Sequence, residues 1–329
     1  MVNIFEIIII ILLGIVFGIS LFEVLIPYFH RIKYGQSIRS EGPSTHYIKK
    51  GTPTMGGIII FTCTMFLWII FLIFNYKERT LNFYEILLIF ISFFGFLLVG
   101  FIDDYLIVIK KNNDGLKPKI KFIMQLFISA ICYSIVIHIR KSSDIDFFGV
   151  TIDLKFIYGI LLLISYSGFS NATNLTDGLD GLLGGSYLLI LVGIIYLSFT
   201  KFNYNVMYFS LALLISLITF LLYNLPKAKI FMGDTGSLSL GAVLLTLLII
   251  LNMEILIFVF GFVYLIETFS VIIQVWFFKK TKGERLFKMT PIHHHFELIG
   301  YKEFQINIIF WIITLIFTIL GVYLGVKIF

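Results

Sequence analysis

The stretch ILLIFISFFGFLLVGFIDDY, residues 86–105, decides how this chain folds. Seventeen almost wholly apolar residues end on two adjacent carboxylates, Asp103 and Asp104. An ionised carboxylate at the centre of a membrane helix costs about 2.5–3.5 kcal/mol on insertion scales, so the pair needs a compensating cation or dipole. An acid at a helix C-terminus also meets the wrong end of the helix dipole. Composition agrees about the medium. The 329 residues are 59% hydrophobic and 13% charged, with a mean hydropathy of +1.00, too apolar for a water-soluble globule of this length.

A hydrocarbon layer of about 30 Å takes about 20 apolar residues as helix. About ten such blocks follow one another, near 4–26, 55–74, 86–102, 122–139, 156–172, 182–199, 207–223, 235–252, 256–277 and 305–326. They are unbroken rather than alternating, which predicts helices that satisfy their own backbones and not a strand barrel. The expected fold is an all-α integral membrane protein, a single polytopic domain over residues 1–329. The first block lacks preceding Lys or Arg and a following small-residue cleavage site, so it reads as a span and not as a removed leader. Eighteen of the 25 Lys and Arg residues fall in the segments 27–54, 103–121, 224–234 and 278–304. The positive-inside rule makes these cytoplasmic and puts both termini outside. The net charge of +6 then lies mainly on the inner face, where anionic lipids and anionic substrates are attracted. Cys63 and Cys132 sit inside apolar blocks without ligand spacing and read as small core residues.

The unusual residues gather in the inner segments. Asp103 and Asp104 are followed by Lys110, Lys111, Lys117, Lys119 and Lys121, interrupted by the turn-forming NNDG. In SNATNLTDGLDGLLGGS, residues 170–186, Asn171, Asn174, Asp177 and Asp180 recur every three residues, so successive members are neighbours on a helix until Gly178 and Gly181 break it. Oxygen-bearing side chains of this kind suit Mg²⁺, and glycines let a phosphate or base approach the backbone. YNLPKAKIFMGDTGSLSLG, residues 223–241, brings Asn224, Asp234 and Ser237 to the start of another span, where helix amides favour anions. Taken alone, Asp234 has a helix cap as its lesser reading, and three such loops on one membrane face weigh against it.

TPIHHHFELIG, residues 290–300, holds His293, His294 and His295. Consecutive residues cannot all face one way, which disfavours a three-His zinc site and leaves hydrogen-bonding or phosphate-binding roles. HYIKKGTPTMGGI, residues 46–58, offers Lys49 and Thr54 among glycines without Walker spacing. Glu267 and Gln274, seven residues apart in the ninth block, share one helix face.

Acids from several loops and many lysines at one membrane face suit Mg²⁺-assisted phosphoryl transfer between a membrane lipid phosphate and a soluble donor, since two anions must be neutralised and aligned. A cation transporter would instead place its acids near the bilayer midplane.

The segments GTPTMGG, FIDDY, NATNLTDGLDGL, FMGDTGS and PIHHHFE, in this order along the chain, resemble those of the bacterial phospho-N-acetylmuramoyl-pentapeptide transferases, in the superfamily of polyprenyl-phosphate N-acetylhexosamine-1-phosphate transferases. The resemblance implies an enzyme of the bacterial plasma membrane, with UDP-MurNAc-pentapeptide and undecaprenyl phosphate as substrates, lipid I and UMP as products, Mg²⁺ as cofactor, no nucleic-acid partner, and a homodimer. It further implies Asp103, Asp104 and Asp234 as catalytic residues, Asp103 as the base acting on the lipid phosphate, and Asp234 as the metal ligand. A nucleoside pocket is implied around Gly178, Leu179, Asp180 and Phe231, with Lys49, Thr54, Asn171, Asp177, Asn224, Gln274 and His294 nearby.

The family commonly has Lys one residue after its DDY motif. This chain has Ile107 there, leaving Lys110 and Lys111 to supply the charge. A phosphate monoester with a second pKa of about 6 is mostly dianionic at pH 7, so a base adds little. The runner-up mechanism has an Asp attack first, with ping-pong kinetics and UMP release without lipid. The rival substrate reading, a GlcNAc-1-phosphate transferase, fits less well because that branch tends to carry His-x-His-His where PIHHHFE stands.

Overall fold

The computed structural model describes residues 4–31, 51–75, 81–110, 115–147 and 149–328. Ten of the described helices are long and apolar enough to cross a membrane. They are α1 (Ile4–Arg31), α2 (Gly56–Asn75), α3 (Phe83–Lys110), α4 (Pro118–Arg140), α5 (Phe156–Thr176), α6 (Leu182–Thr200), α7 (Tyr204–Asn224), α8 (Gly233–Ile250), α10 (Phe262–Lys280) and α12 (Glu303–Lys327). Two short helices, α9 (Ile257–Phe260) and α11 (Ile292–Leu298), complete the set. Each expected apolar block has a spanning helix within or across it, because in hydrocarbon a helix alone pairs every backbone group within one segment.

Three features depart from the block reading. First, α3 runs to Lys110, so Asp103 and Asp104 sit nearly two turns inside the helix and not at its end. Second, the block 256–277 is broken at Gly261, where an added Cβ would lie 2.7 Å from the Ile257 carbonyl and 2.8 Å from the Phe169 ring of α5. Third, the α4–α5 connection forms an antiparallel hairpin, β1 (Asp144–Phe147) and β2 (Val150–Asp153), with Asp144 opposite Asp153. The Asp146 carboxylate closes its turn by accepting the Gly149 N–H at 2.7 Å. Strands of four residues leave no trace in a search for runs of about twenty.

The organising element is α8, of whose most apolar stretch 89% is buried, against 22% for α1. It is enclosed chiefly by α3, α5 and α2. The close approaches rely on small residues, as expected where lipid supplies no hydrophobic drive between helices. A Cβ on Gly100 of α3 would lie 2.0 Å from the Asp234 carbonyl, and one on Gly57 of α2 would lie 2.2 Å from the Gly236 nitrogen. Both neighbours are backbone, which cannot swing aside. Gly57→Ala should therefore cost about 1–3 kcal/mol through overpacking, read as a lowered Tm in detergent; an unchanged Tm would show that α2 can retreat freely.

At the far end of α4, Arg140 forms a bidentate pair with Glu254 at 2.5 and 2.7 Å. It also donates to the Tyr158 hydroxyl at 2.9 Å and the Ile249 carbonyl at 3.2 Å. The pair ties α4 and α5 to the turn that follows α8.

Candidate active site

The first turn of α8 begins at Gly233, whose φ of +72° suits glycine. A Cβ there would lie 2.5 Å from the Asp104 carboxylate and 2.6 Å from the Thr54 hydroxyl. Asp104, buried on α3, accepts the Asp234 N–H at 3.2 Å, the Thr235 N–H at 3.0 Å and the Thr235 hydroxyl at 2.6 Å. A carboxylate thus satisfies the unpaired amides of α8 at the end its dipole makes positive. The dipole that answers Asp104 belongs to α8 and not to its own helix. Asp234 is left free of the capping task.

Asp234 accepts from the Asn174 amide at 2.7 Å and forms a short contact with the Lys121 ammonium. Lys121 stands in the first turn of α4, started by Pro118, and also reaches Asp103 at 3.4 Å. Asp103 accepts the Leu116 N–H at 2.6 Å. The chain passes this closely because residue 115 is glycine: a Cβ there would lie 2.5 Å from the Asp103 carboxylate. The Asn174 amide donates to the Ser237 hydroxyl at 2.9 Å, which donates to the Gly233 carbonyl at 2.9 Å. One ammonium therefore bridges two carboxylates at one end of the bundle, with all three side chains less than a quarter exposed.

Asp177 follows the last residue of α5, and among the described residues no hydrogen bond acts on its carboxyl. Burial, then the nearby charges of Asp234, Asp104 and Asp180, push its pKa well above the usual carboxylate range. Asn171 is braced deeper in the bundle, donating to Gln125 at 2.8 Å, while Ser167 donates to the same oxygen at 2.7 Å.

The turn after Asp177 is pinned from several sides. Asp180 accepts the Ala228 N–H at 3.0 Å, its own N–H donates to Glu303 at 2.6 Å, and its carbonyl accepts from Asn307 at 2.7 Å. Asn224 accepts the Gly181 N–H at 2.9 Å and donates to the Ile230 carbonyl at 2.9 Å. Phe231 donates to the Pro53 carbonyl and accepts from Gly56, both at 2.8 Å, which joins the Thr54 segment to the start of α8.

The profile of Glycosyl transferase family 4 matches residues 86–252, and phospho-N-acetylmuramoyl-pentapeptide-transferase signature 1 matches residues 49–61. A phospho-N-acetylmuramoyl-pentapeptide-transferase of Staphylococcus carnosus (strain TM300) is 45% identical over 93% of this chain and 95% of its own length. One of Staphylococcus aureus (strain bovine RF122 / ET3-1) is 44% identical over 96% and 98%.

The chain belongs to the phospho-N-acetylmuramoyl-pentapeptide-transferase family.

For this family member the structure draws together Asp103, Asp104, Lys121, Asn174, Asp177, Asp234 and Ser237, with Thr54, Gly178, Asp180, Asn224 and Phe231 framing them. Lys49 and Lys111 lie outside the described residues. Other candidates are placed apart. Lys119 is exposed, Leu179 is buried in the apolar core, and Gln274 spends its amide on the backbone of Leu286 and Phe287. Beside Gln274 a cavity of about 310 Å³ is lined by Phe278, Lys279, Arg285 and Met289 among others. The three histidines diverge as their adjacency requires. His293 is fully buried, His294 pairs with Glu297 at 2.7 Å, and His295 accepts the Lys288 N–H at 3.2 Å. Ile107 is half-buried on α3. Gln125, Glu303 and Asn307 brace this region without standing in any of the sequence motifs; their signal is a polar side chain within or bordering an apolar run.

Among the described residues no three His, Cys, Asp or Glu side chains form a ready-made metal cage. Mg²⁺ does not require one, since it commonly uses one or two carboxylates, waters and substrate phosphates. The donors here are oxygens of Asp234, Asp103, Asn174 and Ser237, beside an Asp177 carboxyl whose raised pKa a cation would relieve. The residues present fit the ion.

Proposed function

We propose that this protein transfers phospho-MurNAc-pentapeptide from UDP-MurNAc-pentapeptide to undecaprenyl phosphate, forming lipid I and UMP in a Mg²⁺-dependent reaction at the cytoplasmic face of the bacterial plasma membrane. The observation that carries this reading is the identity of 44–45% with transferases of that name over nearly the whole chain. The clustering of acids and an ammonium at one end of an apolar bundle supports it.

An oxygen of the lipid phosphate attacks the phosphorus that bears the sugar, a new P–O–P link forms, and the bond to the bridging oxygen breaks, so UMP leaves with that oxygen. Lys121 draws the two anions together and offsets their repulsion. Asp103, fixed by Leu116, orients Lys121 and accepts the proton of any lipid phosphate that arrives as the monoanion. Asp104 holds the first turn of α8 so that Asp234 and Ser237 face the reacting groups. Asp234, with Asn174 and Ser237 beside it, would hold Mg²⁺. When bound, the ion would neutralise pyrophosphate charge as the leaving group departs. Asp177 and the turn to Asp180 receive the nucleotide side of the donor.

Purified protein given undecaprenyl phosphate, Mg²⁺ and either UDP-MurNAc-pentapeptide or UDP-GlcNAc should make lipid product from the first donor; product from the second alone would overturn the assignment. Excess EDTA should stop turnover and added Mg²⁺ restore it. Full activity in chelator would remove the ion from the mechanism.

A further inference from the structure

Glu267 on α10 and His293 on α11 are both fully buried, with Nδ1 of His293 3.0 Å from Oε2 of Glu267. Among the described residues neither Glu267 oxygen nor His293 nitrogen has an aligned hydrogen-bond partner other than the 3.0 Å approach of the two groups to each other. A carboxyl inside a membrane span is costly, and an apolar residue of similar volume would pack there without that cost. The opposite edge of the imidazole faces the candidate site. A Cβ on Gly178 would lie 2.2 Å from Nε2 of His293, so only glycine lets the ring seat against the chain. Gly178 directly follows Asp177 and begins the turn whose Asp180 and Gly181 amides are held by Glu303 and Asn224. The His294 ring meets His293 edge-on at 4.1 Å, and Glu297 holds His294 in turn.

We infer that Glu267 is a positioning residue for the donor: it holds the His293 imidazole beneath Gly178, and the imidazole keeps the 177–180 turn in the shape that receives the uridine nucleotide. Glu267 reaches no reacting atom and acts only through the ring. The inference rests on the reaction assigned above and adds a residue to its nucleotide side. It predicts an effect on one substrate and not the other.

The test uses the full-length protein in detergent, with UMP as the binding probe. Glu267→Gln and Glu267→Leu should each raise the Kd for UMP and the KM for the UDP-linked donor about tenfold, the scale of one lost positioning contact. The KM for undecaprenyl phosphate should stay within about twofold. Glu267→Leu removes the buried carboxyl and leaves His293 without its partner, so thermal unfolding is recorded for each variant and UMP affinities are compared between folded preparations only. In a His293→Asn background, Glu267→Leu should weaken UMP binding no further, because the path to the nucleotide is already cut. Unchanged UMP affinity in a folded variant, equal rises in both KM values, or losses that multiply in the double variant would overturn the inference. So would a failure of both single variants to fold, which would make the pair a structural support. If wild-type protein binds UMP but makes no lipid product from UDP-MurNAc-pentapeptide, the assigned reaction fails while the positioning role stands. If it makes product and the variants match it, the reverse holds.

Discussion

Asp234→Asn is expected to slow lipid product formation by about 10³-fold, the upper end of what removing one preorganised electrostatic group costs. The substitution keeps the shape of the side chain and removes its charge. One oxygen of Asp234 accepts from Asn174 and the other meets Lys121. An amide can satisfy only one of them, and its NH2 group would face a donor at the other. The charge that draws Lys121 inward, and that would hold Mg²⁺, is lost together with the alignment. Stability should change little, because the amides of α8 are satisfied by Asp104 and not by Asp234. The experiment pairs initial rates with thermal unfolding of the same preparations. A wild-type rate would remove Asp234 from the site, and loss of fold would show that it serves α8 instead.

Arg140→Met should do the opposite, costing about 3–5 kcal/mol of stability by leaving the Glu254 carboxylate buried without its partner. Turnover per folded molecule should stay near wild type. Lys121 and Arg140 stand nineteen residues apart on one helix, roughly 28 Å at the helical rise, so the substitution lies at the other end of the bundle from the candidate site. The companion Arg140→Met/Glu254→Leu removes both charges and should recover most of the loss, because an apolar pair avoids the desolvation that the ion pair must offset. Thermal unfolding in detergent reads both variants. If Arg140→Met is as stable as wild type, the contacts of Arg140 with Glu254 and Ile249 do not hold α4 to the turn after α8.

Much of the candidate site was legible because its chemistry is unusual for its surroundings. Asp103, Asp104 and Asp234 interrupt or border apolar runs, and Asn174 and Asp177 lie in a polar stretch between two spans. What could not be read was the division of labour. Asp103 and Asp104 are neighbours in sequence, yet one caps a helix 131 residues away and the other meets Lys121. Successive residues on a helix point about 100° apart, so they answer to different neighbours. Gln274, polar in a membrane span, reads equally as a helix–helix hydrogen bond or a substrate contact, and only the family resemblance puts it near the nucleoside pocket. In the structure it is consumed by the 286–287 backbone, since a buried amide takes the nearest unpaired donors and acceptors. The triple histidine shows the same limit: adjacency alone predicts divergence, and only the packing of α11 shows which ring is buried against Gly178.

The amino-acid sequence by itself determined the medium, the ten spans and the inventory of polar groups at their ends, because backbone pairing within a helix is local and the length needed to cross hydrocarbon is a matter of counting. The tertiary structure alone decided which carboxylate is spent on the start of α8, which two share Lys121, and that Glu267 reaches His293. Those pairings depend on how closely distant segments approach, and at Gly57, Gly100 and Gly115 that approach is allowed by the absence of a single carbon atom.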